Sequence, residues 1–163
     1  MPTDQDHISQ AQRNLDFLET FLEGYNFNDW SITVAFYACV HIAESAIFLQ
    51  KNLKYRGTGL QLEHSDELPN VASRANLAPP RNLSWTAKLN HIFRNVLIAE
   101  NFPEIWAQYD YLYKKSKESR YCVYKWNNND IDLIMKYSPS HIIGWLKQKF
   151  QVDLKVTKKL LKP

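Results

Sequence analysis

Residues 29–49 (DWSITVAFYACVHIAESAIFL) place apolar side chains on nearly every side of a helix, with His41 and Glu44 three apart in its middle. A helix apolar all round belongs at the centre of a bundle. Elsewhere the apolar spacing follows a 3.6-residue period and predicts amphipathic helices. Ile8, Ala11, Leu15, Leu18 and Leu22 share one face of a first helix, from about Thr3 to Glu23, which Gly24 stops. Asn28 or Asp29 is the predicted cap of the second helix, which extends to about Lys54 before Gly57 and Gly59. Helical spacing resumes at Ser84, a predicted N-cap, with Trp85, Leu89, Ile92, Val96 and Ala99 as the buried stripe. Pro103 suits the first turn of a fourth helix, whose seam is Ile105, Tyr109, Leu112, Ser116 and Val123. Asn127, Asn128 and Asn129 form a turn cluster. Ile131 to Tyr137 reads as a short helix in preference to a hairpin with 122–126, and Ser138-Pro139 opens a last helix through Phe150.

Residues 55–84 break the pattern. They hold three of the seven prolines and little periodicity, which predicts a long loop with at most one short helical turn. The expected fold is therefore all-α: a single antiparallel up-and-down bundle of four to five helices across residues 1–150, with a loop insertion between helices 2 and 3.

Charge changes the picture at one end. Residues 147–163 carry six lysines against one Asp, while the other 146 residues hold 14 basic and 16 acidic groups, a net of −2. The overall +3 thus belongs to the tail, and residues 151–163 read either as a solvated lysine-rich terminus or as a phosphate-contacting extension. A chain of 163 residues suffices for one core and is short for two. Cys39 and Cys122 lie far apart with no Cys/His ligand spacing, so the expectation is two reduced thiols, no metal and no cofactor. No N-terminal stretch reads as a signal peptide, and no apolar run approaches the roughly 20 residues of a bilayer span. The expected location is cytoplasmic, with no membrane partner.

Polar residues on the apolar faces are the candidate chemistry. Trp30, Val34, Tyr37, His41, Glu44 and Phe48 share a stripe of the second helix. His91 and Arg94, also three apart, share a face of the third. Arg120 follows Ser116 by one turn on the fourth, with Tyr121 beside it. Packed together, these helices would let Glu44 pair with Arg94 or Arg120 and the histidines complete a network, because an unpaired buried ion costs about 3–5 kcal/mol. Such a cluster is either a structural polar network or a basic, histidine-bearing cleft that holds or works on a phosphate. His64, beside Glu63, Asp66 and Glu67, reads as a solvated loop residue, and His7 and His141 receive no role.

Phe36, Tyr37, Ala38, His41 and Glu44 resemble the second-helix pattern of HEPN-type domains (higher eukaryotes and prokaryotes nucleotide-binding). The stretch from Asn90 to Tyr121 is similar to that family's downstream half, a His-x-x-Arg pair followed by a Tyr-x-x-Leu-x-x-x-Ser helix ending in Arg-Tyr. The matching positions are His91, Arg94, Tyr109, Leu112, Ser116, Arg120 and Tyr121. The resemblance spans roughly residues 8–126, with 55–84 as an insertion. It implies a helical bundle that often dimerises, found in defence and toxin–antitoxin systems or as an RNA-associated module. Many members are metal-independent ribonucleases with an Arg-x(4–6)-His motif, and no arginine of this chain has a His five to seven residues on.

Three readings follow. The first is a non-catalytic module binding RNA, a nucleotide or a partner protein, such as an antitoxin or defence-system protein, through His41, Glu44, His91, Arg94, Arg120 and Tyr121. The second is a ribonuclease toxin with an atypical site, in which His41 or His91 is the base and Arg94 or Arg120 stabilises phosphorane charge. The third is a structural dimerisation adaptor.

Overall fold

The computed structural model describes residues 2–25, 27–80, 83–86, 90–122, 126–156 and 160. It is mostly helical: α1 (Asp4–Gly24), α2 (Asn28–Gln50), α3 (Leu68–Arg74), α4 (Asn90–Asn101), α5 (Pro103–Tyr121), α6 (Asn128–Tyr137) and α7 (Pro139–Phe150). A hairpin, β1 (Asn52–Tyr55) and β2 (Thr58–Gln61), and one 3-10 turn at Ser65–Glu67 complete the described elements. The all-α expectation holds, with more helices than anticipated.

α2 is the axis. It packs against α1, α4, α5, α6 and α7, and Ile32, Ala35, Phe36, Ala38, Cys39, Ile42, Ala43, Ala46 and Ile47 are fully buried. Burial drives the Cys39 thiol far above its usual pKa, so it stays a protonated core side chain. At 23 residues with a mean hydropathy of 1.8, α2 is long and apolar enough to cross a membrane, contrary to the expectation that no segment is. Its apolar surface is met instead by the surrounding helices.

Local chemistry explains most boundaries. Thr3 caps α1 reciprocally with Asp6, and Asn127 caps α6 with Asp130. Gly24 is the last residue of α1, not its stop; Tyr25 takes the left-handed conformation there (φ 50°). α2 begins after Phe27, whose side chain has no acceptor to cap it, and the Asn28 side-chain amide donates to the Trp126 carbonyl at 2.7 Å. Ser84 lies outside α4, which is described from Asn90, and the buried face of α4 is Phe93, Arg94, Leu97 and Ile98, rotated from the predicted Ile92, Val96 and Ala99. Leu89 and Val123, both assigned to seams, lie outside the described residues.

The predicted loop 55–84 is largely structured. Leu53 pairs with Leu60 and Tyr55 with Thr58, and Leu53, Tyr55, Leu60 and Leu62 all reach the core. The two-residue turn needs positive φ at Arg56 (52°) and Gly57 (77°), the mirror-type turn that suits strand twist. The end of α4 fastens this hairpin. Glu100 accepts from the amides of Arg56 (2.9 Å) and Gly57 (2.8 Å), and Asn101 bonds both the amide and carbonyl of Lys54.

The tail is also part of the fold in its described portion. Leu154 and Leu160 are buried, and the backbone of Lys155 exchanges two hydrogen bonds with Gln12 on α1.

Candidate functional site

The α2 stripe opens to solvent at one end and sinks into the core at the other. Trp30 is 60% exposed and Tyr37 37%, His41 is partly buried, and Glu44 is 1% exposed. Two clusters form along it.

The inner cluster centres on Glu44. Its carboxylate pairs with the Arg94 guanidinium from α4 and accepts from both the hydroxyl and the backbone amide of Ser65, the latter at 3.0 Å. His64 Nε2 stands 3.6 Å from the other carboxylate oxygen. Burial alone would raise the Glu44 carboxyl, but Arg94, His64 and the Ser65 bonds outweigh it and hold its pKa below the usual value. Burial likewise opposes the charge of Arg94, and Glu44 and Tyr109 more than compensate. Of the two partners considered for Glu44, Arg94 is the one that reaches it.

Three further imidazoles surround this ion pair. Arg94 Nη1 lies 3.2 Å from His91 Nδ1; a guanidinium only donates, so that nitrogen accepts and the His91 proton sits on Nε2. The Asp66 amide donates to His64 Nδ1 at 3.1 Å, which by the same logic puts a proton on Nε2, the nitrogen facing Glu44. His7 Nδ1 and His41 Nδ1 are 3.1 Å apart, so one donates and the other accepts. The His7 ring also stacks on His64 at 5.3 Å. Burial, followed by neighbouring positive charge, pushes the pKa of His7, His41 and His91 down, that of His41 to about 4. At neutral pH these three are uncharged.

His7 and His64 thus belong to a site in which they had no place. For His7 a signal existed: it stands four residues before Ala11 on the buried face of α1. His64 has none, because only the hairpin carries it back to α2.

The outer cluster lies between α2 and the end of α5. Arg120 donates from Nη1 to the Tyr37 hydroxyl at 3.2 Å and from Nε to the Ser116 carbonyl at 3.1 Å. Its guanidinium lies over the rings of both Tyr37 (5.8 Å) and Tyr121 (5.4 Å). Tyr121 is 78% exposed. Arg120 does not bond Glu44, so the single cluster anticipated from the sequence is two. His91 is the hinge between them: Arg94 and Arg120 both depress its pKa, and its ring lies 6.0 Å from Phe36. Behind Arg120, Asp29, Trp30, Thr33 and Ser119 join it in lining a cavity of about 300 Å³.

Among the described residues no group of three or more His, Cys, Asp or Glu side chains is placed to hold a metal ion. What the arrangement offers is a saturated ion pair within, neutral imidazoles beside it, and an arginine on exposed aromatic rings at the surface. No protein family, curated protein or solved structure matches this chain.

Proposed function

We propose that the chain is a HEPN-like helical module that binds single-stranded RNA, or a nucleotide as its smallest fragment, on the face bearing Trp30, Tyr37, His91, Arg120 and Tyr121. Arg120 carries this reading. Its described hydrogen bonds go to a phenol and a carbonyl, not to a carboxylate, which leaves its charge for an anion from outside. It sits between exposed rings, the combination that single strands use: a cation for the phosphate and flat faces for the bases. Glu44 and Arg94 neutralise each other and hold the elements carrying this face together. A homodimer and an antitoxin or other defence-system partner belong to the same proposal.

Anisotropy of a fluorescently labelled 12-nucleotide RNA tests it. Arg120→Ala should weaken binding at least about tenfold, and Tyr37→Ala by roughly 1–3 kcal/mol if a base stacks there. An unchanged affinity in Arg120→Ala would refute this reading. A second reading, metal-independent RNA cleavage, rests on His91, a neutral imidazole between Arg94 and Arg120 that could take a proton on Nδ1 only by giving up its bond from Arg94. RNA left intact after prolonged incubation in chelator would exclude it, whereas cleavage that His91→Ala abolishes would establish it.

A further inference from the structure

The charges of α5 fall into two groups. Its three carboxylates are all taken: Glu104 pairs with Lys149 at 3.0 Å, Asp110 with Lys114 at 2.6 Å and Glu118 with Lys115 at 2.8 Å. Lys117 and Arg120, one turn apart, have no carboxylate partner among the described residues. Each lies on a tyrosine instead. Lys117 Nζ is 5.4 Å from the Tyr113 ring centroid, and the Arg120 guanidinium is 5.8 Å from that of Tyr37. Such a contact fixes where a long side chain puts its charge without neutralising it. The two tyrosines flank one buried ring: Phe36 stands 5.5 Å from Tyr113 and 5.7 Å from Tyr37. His91, part of the proposed binding face, is 6.1 Å from Tyr113 and 6.0 Å from Phe36. The exposed Lys117 therefore borders that same face.

We infer that Lys117 is a second phosphate contact, so that the face takes two consecutive phosphates of one strand, one at Lys117 and its neighbour at Arg120; this rests on the RNA-binding reading above. Side chains one turn apart on a helix start about 5–6 Å from each other. From there these two diverge. Lys117 lies back along α5 over Tyr113, whereas Arg120 reaches across to Tyr37 on α2. The charges thus stand at two positions, with Phe36 between the rings that hold them. A mononucleotide brings one phosphate group and fills one position. A strand fills both, and its second contact is intramolecular once the first is made, which raises affinity. Lys114 and Lys115 do not extend the track, because Asp110 and Glu118 already stand against their charges. The ligand class narrows accordingly, from a nucleotide to an oligonucleotide with at least two phosphates.

Displacement of a labelled 12-nucleotide oligouridine by UMP and by the 5′-phosphorylated dinucleotide pUpU provides the test. The full chain should release the label at a pUpU concentration roughly tenfold or more below that of UMP. Lys117→Gln should bring the two concentrations close together. It should also lower the log–log salt slope of the 12-nucleotide RNA from about −1.4 to about −0.7, the loss of one phosphate contact on a single strand. Lys114→Gln removes a charge three residues away that Asp110 already pairs, and should change neither reading. Both lysines are exposed, and circular dichroism should show each variant folded. Normal RNA affinity and slope in Lys117→Gln, with Arg120→Ala still weakened, would overturn the second contact and leave the RNA face standing. Equal effects of Lys117→Gln and Lys114→Gln would also overturn it, since only total charge would then count. UMP weakened by Lys117→Gln as much as pUpU would place both cations on one phosphate and overturn the two positions. Binding of neither the RNA nor the nucleotides would overturn both readings.

Discussion

Glu44 on α2 and Arg94 on α4 meet where both are buried, and each charge is tolerable only because of the other. Truncating one leaves the second buried and unpaired, which typically costs about 3–5 kcal/mol. Glu44→Ala should therefore lower the thermal midpoint by about 10 °C for a chain of this size, read by circular dichroism. The double variant Glu44→Gln with Arg94→Met should recover part of that loss, since it removes both charges; no recovery would mean the pair is not the source. The imidazoles predict a pH dependence of definite sign. In the unfolded chain His41 titrates near 6.5 and in the fold near 4, so between those values the unfolded state binds more protons. Stability from His41 is complete above about pH 6.5, falls as the pH drops toward 4, and is level below. The effect is on the order of 2 kcal/mol after allowance for partial exposure, or roughly 4–8 °C between pH 7 and pH 4.5. His41→Gln should flatten that slope. Glu44, held below its usual value, adds its own loss only at still lower pH. At this scale the sequence was informative where polarity interrupts an apolar helix: His41 and Glu44 betrayed themselves by spacing, as did His91 and Arg94. Arg120 was misassigned to the inner cluster because helix spacing specifies a face but not how far along the neighbouring helix that face reaches.

Elements built from one long period were legible, and those built from long-range contacts were not. α1, α2, α5 and α7 follow from apolar spacing, helped by the Thr3 cap of α1 and the first-turn prolines of α5 and α7. The hairpin escaped notice because Arg56-Gly57 lacks the Asn-Gly or Asp-Gly signature of its turn, and because Glu100 and Asn101, more than 40 residues later, satisfy its backbone. Its consequence is functional: the hairpin and the 3-10 turn deliver Ser65 and His64 to Glu44. Glu100→Ala removes two acceptors from the turn and should loosen it selectively. Hydrogen exchange at Arg56 and Gly57 should accelerate while α1 and α5 remain protected; uniform acceleration would show that the hairpin is not a separate unit of opening. The described part of the tail also depends on long-range contacts. Its lysines dominate the composition, but Leu154 and Leu160 determine its placement. Ending the chain at Phe150 exposes the surface these leucines cover, worth at most about 3–6 kcal/mol. The shortened protein should melt well below the full chain.

Across the sequence, the net positive charge belongs to the lysine-rich end, and salt dependence can tell whether it or Arg120 governs RNA affinity. Away from the lysine-rich end the chain is slightly acidic, so Arg120 works without a broad basic field. Lys147 is paired with Asp153 and Lys149 with Glu104, at 2.9 and 3.0 Å, and the backbone of Lys155 is tied to α1. Affinity that comes from stacking and one or two phosphate contacts falls gently with salt, with a log–log slope of roughly −0.7 to −1.4 for a single strand. Recruiting the terminal lysines as well would steepen it toward about −3 to −4. The expected result is the shallow slope, unchanged when Lys158, Lys159 and Lys162 are replaced by Gln. Those three substitutions test the tail without removing Leu154 or Leu160, so a loss of affinity cannot be confused with a loss of fold. A steep slope that the substitutions flatten would move the principal phosphate contacts from Arg120 to the tail. The aromatic face would then select bases on a strand held chiefly by those lysines.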